Sequence, residues 1–157
     1  MVALVVAGCG SREPPPPYRE GAIDFYYTQD GADHRVAQLR GRPVVLALVR
    51  TAELTSELYI DQLVDAFARA AGETRFLVLS IEPNEEPFLA EYVEQRELPF
   101  PIGLAEWAVA EGTSDLGLVP VVPTTYLIDA DGAVDQIIVG GVKADDLVRV
   151  LDRRGWK

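Results

Sequence analysis

The sequence predicts an α/β fold, a central mixed sheet flanked by helices in a single domain, and three observations carry that expectation. The chain has 157 residues, 48% of them hydrophobic and 25% charged, which is enough for one domain with a real core. Pro43-Val44-Val45-Leu46-Ala47-Leu48-Val49 is an unbroken apolar run of β-branched character, the signature of a strand buried on both faces. Soon afterwards the period changes: Ile60, Leu63, Val64, Phe67 and Ala71 recur at helical spacing, with Asp61, Gln62, Asp65 and Arg69 on the opposite side. Alternation of this kind, without internal repeat or low-complexity tract, is what a layered α/β domain requires.

The elements follow in order. Residues 22–27 form a short aromatic strand, Gln29-Asp30-Gly31 has turn chemistry, and an extended stretch resumes over 35–39 before Arg40-Gly41-Arg42-Pro43 breaks it. The central strand then leads to the first long helix, starting near Thr51 as N-cap with Glu53 in the first turn, where a carboxylate suits the helix dipole, and ending at Gly72. Residues 76–81 return to a buried strand. Residues 87–96 read as a second helix, opened by Pro87 and carrying Phe88, Leu89, Tyr92 and Val93 on one face. Leu98-Pro99-Phe100-Pro101-Ile102 cannot be helical and reads as a loop or an edge segment. Residues 105–110 make a short helix, 124–128 a strand, Asp129-Ala130-Asp131-Gly132 a hairpin turn and 134–139 its partner strand. A final helix over 144–151 turns Leu147, Val148 and Leu151 inward.

The start of the chain is of a different kind. Ala7-Gly8-Cys9 follows an apolar stretch and resembles the lipobox of bacterial lipoproteins, in which cleavage leaves a lipid-modified cysteine at the new N-terminus. Eight residues precede Cys9, without a basic region, whereas a signal peptide runs to about 15–30 residues. Residues 1–8 are therefore read as a truncated lipoprotein signal; the alternative is a buried first strand over 2–6 with an inert Cys9. Residues 9–21 are read as the lipid-anchor site and a proline-rich tether, since Pro14-Pro15-Pro16-Pro17 within polar surroundings favours extended polyproline II. The twelve residues after Cys9 would span roughly 35–40 Å at about 3.1 Å each. Residues 22–157 form the folded domain.

Charge narrows the functional classes. A formal net charge of −11, with basic residues scattered singly or in pairs, excludes a nucleic-acid binder and electrostatic adsorption to anionic lipid. No apolar run approaches the roughly 20 residues of a membrane-spanning helix, so membrane contact is expected through the lipid anchor alone.

Several motifs fall at matching places. They are Phe25 before the Asp30-Gly31 turn, Leu39-Arg40-Gly41-Arg42-Pro43 leading into the central strand, Val122-Pro123-Thr124-Thr125-Tyr126-Leu127-Ile128-Asp129 before Asp131-Gly132, and Gly140-Gly141 before the last helix. Together they resemble the membrane-tethered thioredoxin-like proteins of the TlpA/ResA, or redoxin, type, over about residues 22–155. The resemblance implies a thioredoxin-like fold with an N-terminal β extension, a cis bond at Val122-Pro123, and a location on the bacterial cell envelope, lipid-anchored, on its periplasmic or extracytoplasmic face. The family's Trp-Cys-x-x-Cys redox motif maps onto Ala52-Glu53-Leu54-Thr55-Ser56.

Both cysteines are gone: Glu53 and Ser56 occupy their positions, and Cys9 is the only cysteine in the chain. Disulfide exchange needs a thiolate, a carboxylate cannot attack a disulfide, and a serine hydroxyl offers no accessible anion at neutral pH. The expected function is thus a degenerate, cysteine-less thioredoxin-like lipoprotein that binds a protein or extended peptide at the former active-site face. That face would be formed by Thr51, Ala52, Glu53, Val122, Pro123 and Thr124, with Glu53 favouring basic ligands. The alternative is a thiol-disulfide oxidoreductase or peroxiredoxin-type antioxidant enzyme by descent. No cofactor or metal is expected: two cysteines and a histidine would be needed for the copper-binding relatives, and only His34 is present, read as a solvated loop residue. Glu82, Asn84, Glu85 and Glu86 lack the spacing of a calcium loop and read as a solvated acidic loop. Trp107 covers the core or lines a groove.

Overall fold

Burial of a continuous apolar run decides the architecture. In the computed structural model, which describes residues 21–70, 72–82, 84 and 86–156, one sheet contains β1 (Tyr26–Gln29), β2 (Ala32–Arg35), β3 (Val44–Val49), β4 (Arg75–Ser80), β5 (Ile102–Ala105), β6 (Thr124–Ile128) and β7 (Val134–Val139). Their order is β2-β1-β5-β4-β3-β6-β7. The three middle strands β5, β4 and β3 run parallel, while β1 and β6 pair antiparallel to β5 and β3. The helices are α1 (Leu54–Arg69), α2 (Glu86–Arg96), α3 (Trp107–Ala110) and α4 (Ala144–Arg154).

Every residue of β3 is buried, and its side chains alternate between two cores. Val45, Ala47 and Val49 join Leu63 and Ala66 of α1, Leu89 of α2 and Leu147 and Leu151 of α4. Val44, Leu46 and Leu48 join Ile23, Phe25, Val36, Val109 and Leu116 on the other face. Three helices thus cover one face, and the N-terminal segment, α3 and the loop after it cover the other. Phe67, Phe76 and Phe100 close the first core at the end where β3 begins, with ring centroids 5.3 to 6.1 Å apart. The helices are also tied directly: Gln62 Oε1 accepts the Ala144 N–H at the start of α4 (3.0 Å), and Arg69 pairs with Asp145 at 2.5 Å, which lowers the Asp145 pKa.

The thioredoxin-like expectation of a mixed sheet between helices, with β1 and β2 as an N-terminal extension, is met, and several details move. The first strand begins at Tyr26 rather than residue 22, because Asp24 and Phe25 spend their polar groups elsewhere: Asp24 Oδ1 accepts from the Ala37 N–H (3.0 Å) and Phe25 O from the Val36 N–H (3.0 Å). Residues Val36–Leu39 form a 3-10 turn rather than an extended stretch, since Gln38 Oε1 accepts the Arg35 N–H at 2.9 Å. His34 is no solvated loop residue; it lies in β2, half-buried, stacked on Tyr27 at 5.4 Å. Of the two readings for residues 98–102, the loop holds for 98–101 and the edge does not: the prolines lack donors and end before the ladder, and Ile102–Ala105 inserts between β1 and β4. Phe88 does not share the buried face of α2 with Leu89; it is 69% exposed. The β6–β7 turn is as expected, with Asp129 Oδ1 accepting the N–H groups of Asp131 and Ala133 (both 2.9 Å) and Gly132 at φ 93, where a Cβ would also meet Arg40 Nε at 2.8 Å.

The expectations for residues 1–20, including the signal, the Cys9 lipidation site and the Pro14-to-Pro17 tether, lie outside the described residues. Among the described residues, no helix is long and apolar enough to cross a membrane.

Candidate functional site

β3 ends at Val49, and the chain must turn from the sheet into α1. It does so through residues 50–53: the Glu53 N–H donates to Arg50 O (3.0 Å), and the Arg50 N–H donates to Ser56 Oγ (3.1 Å). Thr51 is therefore not the N-cap. Glu53 is, in extended backbone and without a side-chain cap bond, because its carboxylate is taken by Arg50 Nη1 at 3.1 Å. The helix ends earlier than expected too, with Ala70 as C-cap rather than Gly72. Arg50 also reaches Glu82 after β4, Nε to Oε2 3.2 Å. A guanidinium held between two carboxylates, all three partly exposed, stands where the redox motif would lie.

Ser56 is fully buried, its oxygen satisfied by the backbone of Arg50. One turn on, Tyr59 is 2% exposed and its hydroxyl shares a 2.7 Å hydrogen bond with Thr125 Oγ1, joining α1 to β6. Burial pushes the Tyr59 pKa up to about 12, against the opposing effect of that hydrogen bond.

The sheet register brings the second half of the expected site to the same end. Leu48 of β3 pairs with Thr124 of β6, so the segment preceding Thr124 lies beside the end of β3. The Val122-Pro123 bond is cis, Pro123 O accepts the Gly140 N–H at 2.8 Å, and Thr124 Oγ1 donates to Val121 O at 2.7 Å. Thr51, Ala52 and Glu53 on one side and Val122, Pro123 and Thr124 on the other thus leave neighbouring strands at one end of the sheet. Thr51 and Ala52 line a depression with Phe88, Glu91, Tyr92 and Gln95 of α2, while Thr55 and Leu58 line a second one with Gly141, Val142 and Lys143.

Exposed large apolar side chains flank this end of the sheet: Tyr26 begins β1, Leu54 (72%) and Leu58 open α1, Phe88 opens α2, Trp107 follows β5, Val121 precedes β6 and Val139 ends β7. Trp107 therefore neither covers the core nor lines either depression. Among the described residues, no group of three or more His, Cys, Asp or Glu side chains is placed to hold a metal ion. Glu82 of the expected acidic loop is engaged by Arg50, and Glu85 lies outside the described residues.

Sequence reading did not single out Arg50 or Tyr59. The three-residue spacing from Arg50 to Glu53 was the available signal for the first, but its second partner, Glu82, is brought in only by the parallel pairing of β3 with β4.

Comparison with known proteins agrees with this geometry. No family profile matches the sequence. The chain is 29% identical over 136 residues to the thiol-disulfide oxidoreductase ResA of Geobacillus kaustophilus, covering 83% of this chain and 74% of that protein. The chain has a thioredoxin-like fold and is similar in sequence to a ResA-type protein. Among solved structures, this domain superposes on a DsbF homologue from Corynebacterium diphtheriae with TM-score 0.71 and 17% identity, over 93% of this chain and 96% of that one. The exposed lipoprotein thioredoxin Etrx1 of Streptococcus pneumoniae superposes with TM-score 0.64 and 17% identity, over 83% and 98%. The segment that opens α1 here, Ala52-Glu53-Leu54-Thr55-Ser56, contains no cysteine.

Proposed function

We propose that this chain is a degenerate, cysteine-less member of its family that binds a protein or an extended peptide at the former redox face. The observation that supports the reading is the Arg50–Glu53–Glu82 ion-pair cluster, set among exposed apolar side chains at the segment where the resemblance places a dithiol. Thiol exchange needs a sulfur nucleophile, and none lies anywhere after residue 9. What the site retains is what recognition uses: exposed apolar side chains that gain by being covered, and carboxylates that select against acidic partners. Placement on the bacterial envelope, with Cys9 lipid-modified, is part of the same proposal; it is supported by Ala7-Gly8-Cys9 and by likeness to a structure described as an exposed lipoprotein.

Titration of the isotope-labelled full chain with reduced, alkylated insulin B chain, an extended peptide without thiols, tests binding. Amide shifts at residues 51–56, 122–124 and 140–142 are expected; a spectrum unchanged at those positions overturns the reading. Mass spectrometry of the native N-terminus checks the anchor, and an unmodified Cys9 removes it. The second reading, an oxidoreductase working with a thiol partner, is favoured only by the 29% identity to ResA, and it requires turnover that the chain alone lacks the sulfur to perform.

A further inference from the structure

We infer that the depression between the start of α1 and the outer face of α2 is a subsite for a lysine or arginine side chain of the bound peptide; this deepens the partner-binding reading and rests on it. The depression, about 280 Å³, is walled by Thr51 and Ala52 on one side and by Phe88, Glu91, Tyr92 and Gln95 on the other. The α2 residues belong there by spacing: positions 88, 91, 92 and 95 fall on one helical face. That face departs from the usual logic of a surface helix, because Phe88 projects an aromatic ring that is 69% exposed.

The shape suits a long side chain with an apolar stem and a cationic head. Phe88 and the ring of Tyr92 offer surface to methylene groups, and an aromatic face attracts a cation within about 6 Å. Glu91 supplies the carboxylate. Its Oε1 accepts from Gln95 Nε2 at 2.8 Å, and among the described residues no basic side chain lies within ion-pair distance of it.

Electrostatics around the depression point the same way. Arg50 is shared by Glu53 and Glu82, and Arg96 by Asp61 (2.7 Å) and Glu57 (3.6 Å). These four carboxylates already engage both guanidinium groups, so the charge of Glu91, the carboxylate that lines the depression, is one that an incoming cation relieves. Beneath the wall, Glu57 Oε1 and the Tyr92 hydroxyl are buried without a hydrogen-bond partner of good geometry. Burial, reinforced by the Glu57 carboxylate, raises the Tyr92 pKa, so the phenol stays neutral under any physiological condition. Arg96 covers the Tyr92 ring at 5.8 Å but is committed to its two carboxylates, which leaves Phe88 as the open aromatic face.

The test uses the full chain and three capped peptides, Ac-Ser-Val-Ala-X-Ala-Val-Ser-NH2, with X as lysine, norleucine or glutamate, titrated at low ionic strength by amide shifts and fluorescence anisotropy. The lysine peptide should bind about ten-fold more tightly than the norleucine peptide, with shifts at residues 51, 52, 88 and 91–95. That preference should vanish in Glu91→Gln, whose thermal unfolding should match the parent, and shrink in about 0.5 M salt. In Phe88→Ala both the lysine and norleucine peptides should weaken together. Equal affinity for lysine and norleucine, or a lysine preference unchanged in Glu91→Gln, overturns this inference while leaving the binding-module reading in place. Failure of all three peptides to bind overturns both.

Discussion

Strand β3 and the segment that follows it adjoin in sequence and are built on opposite principles. Val44–Val49 is completely buried and contributes alternate side chains to two separate cores. Residues 50–55 are half-buried or exposed, and the contacts that tie them down include the Glu53 N–H to Arg50 O turn bond, the Arg50 N–H to Ser56 Oγ bond and an arginine shared between two glutamates. The first region is fixed by close packing, where every methylene is felt; the second is fixed by solvent-screened charges that contribute little to stability. The residues at the start of α1 are thus not the ones that hold the sheet together.

The largest expected effect crosses from one region to the other. Glu53 and Ser56 stand three residues apart across the helix start, one partly exposed beside Arg50 and the other fully buried. A Glu53→Cys, Ser56→Cys double variant should therefore gain disulfide reduction of insulin where the parent has none, because Arg50 and the helix N-terminus would both stabilise a thiolate at position 53. If that variant folds and stays inert, the contrast between an intact scaffold and an emptied site is wrong.

Within the scaffold, Leu46→Ala should cost about 3 kcal/mol in urea unfolding, the usual range for a cavity in a fully packed core. A loss below about 1 kcal/mol would break the claim that β3 organises both cores. Alkaline pH probes the boundary between the regions. The Tyr59 and Tyr126 pKa values rise from 10.0 to about 12 in the folded chain, chiefly through burial, so folding favours their neutral forms. Stability from these groups is complete below pH 10 and is lost as pH rises from 10 to 12, by on the order of 2 kcal/mol for Tyr59. Tyr59→Phe should flatten that part of the profile and cost about 1 kcal/mol at neutral pH, since Thr125 Oγ1 would lose its buried partner. The smallest effect belongs to the charge cluster: Arg50→Ala should change stability by less than about 1 kcal/mol. A larger loss would mean that the cluster holds the fold and not merely the site.

Legibility in the sequence divided along the same line. β3, α1, the β6–β7 hairpin and α4 were readable because unbroken apolar runs, helical periodicity and Asp/Gly turn chemistry are local signals of burial and backbone geometry. β5 was missed as an inner strand because two prolines disguise its approach, and a proline's missing donor says nothing about the four residues that follow. The N-cap moved from Thr51 to Glu53 because the Arg50–Ser56 hydrogen bond, a contact across the turn, settles where the helix begins. Pro123 and Glu53 could be placed at the same end of the sheet from the motifs around them. That Phe88, Glu91 and Tyr92 line one depression with Thr51 and Ala52 was not legible, because it depends on how α2 lies against the start of α1, which no periodicity specifies.

The central claim is that the folded domain retains the architecture of a sulfur-exchange catalyst with no sulfur to run it. Insulin reduction by dithiothreitol in the presence of the purified full chain tests this most directly. The expected onset of turbidity coincides with that of the protein-free control at every protein concentration; an onset that shortens as protein is added would contradict the account.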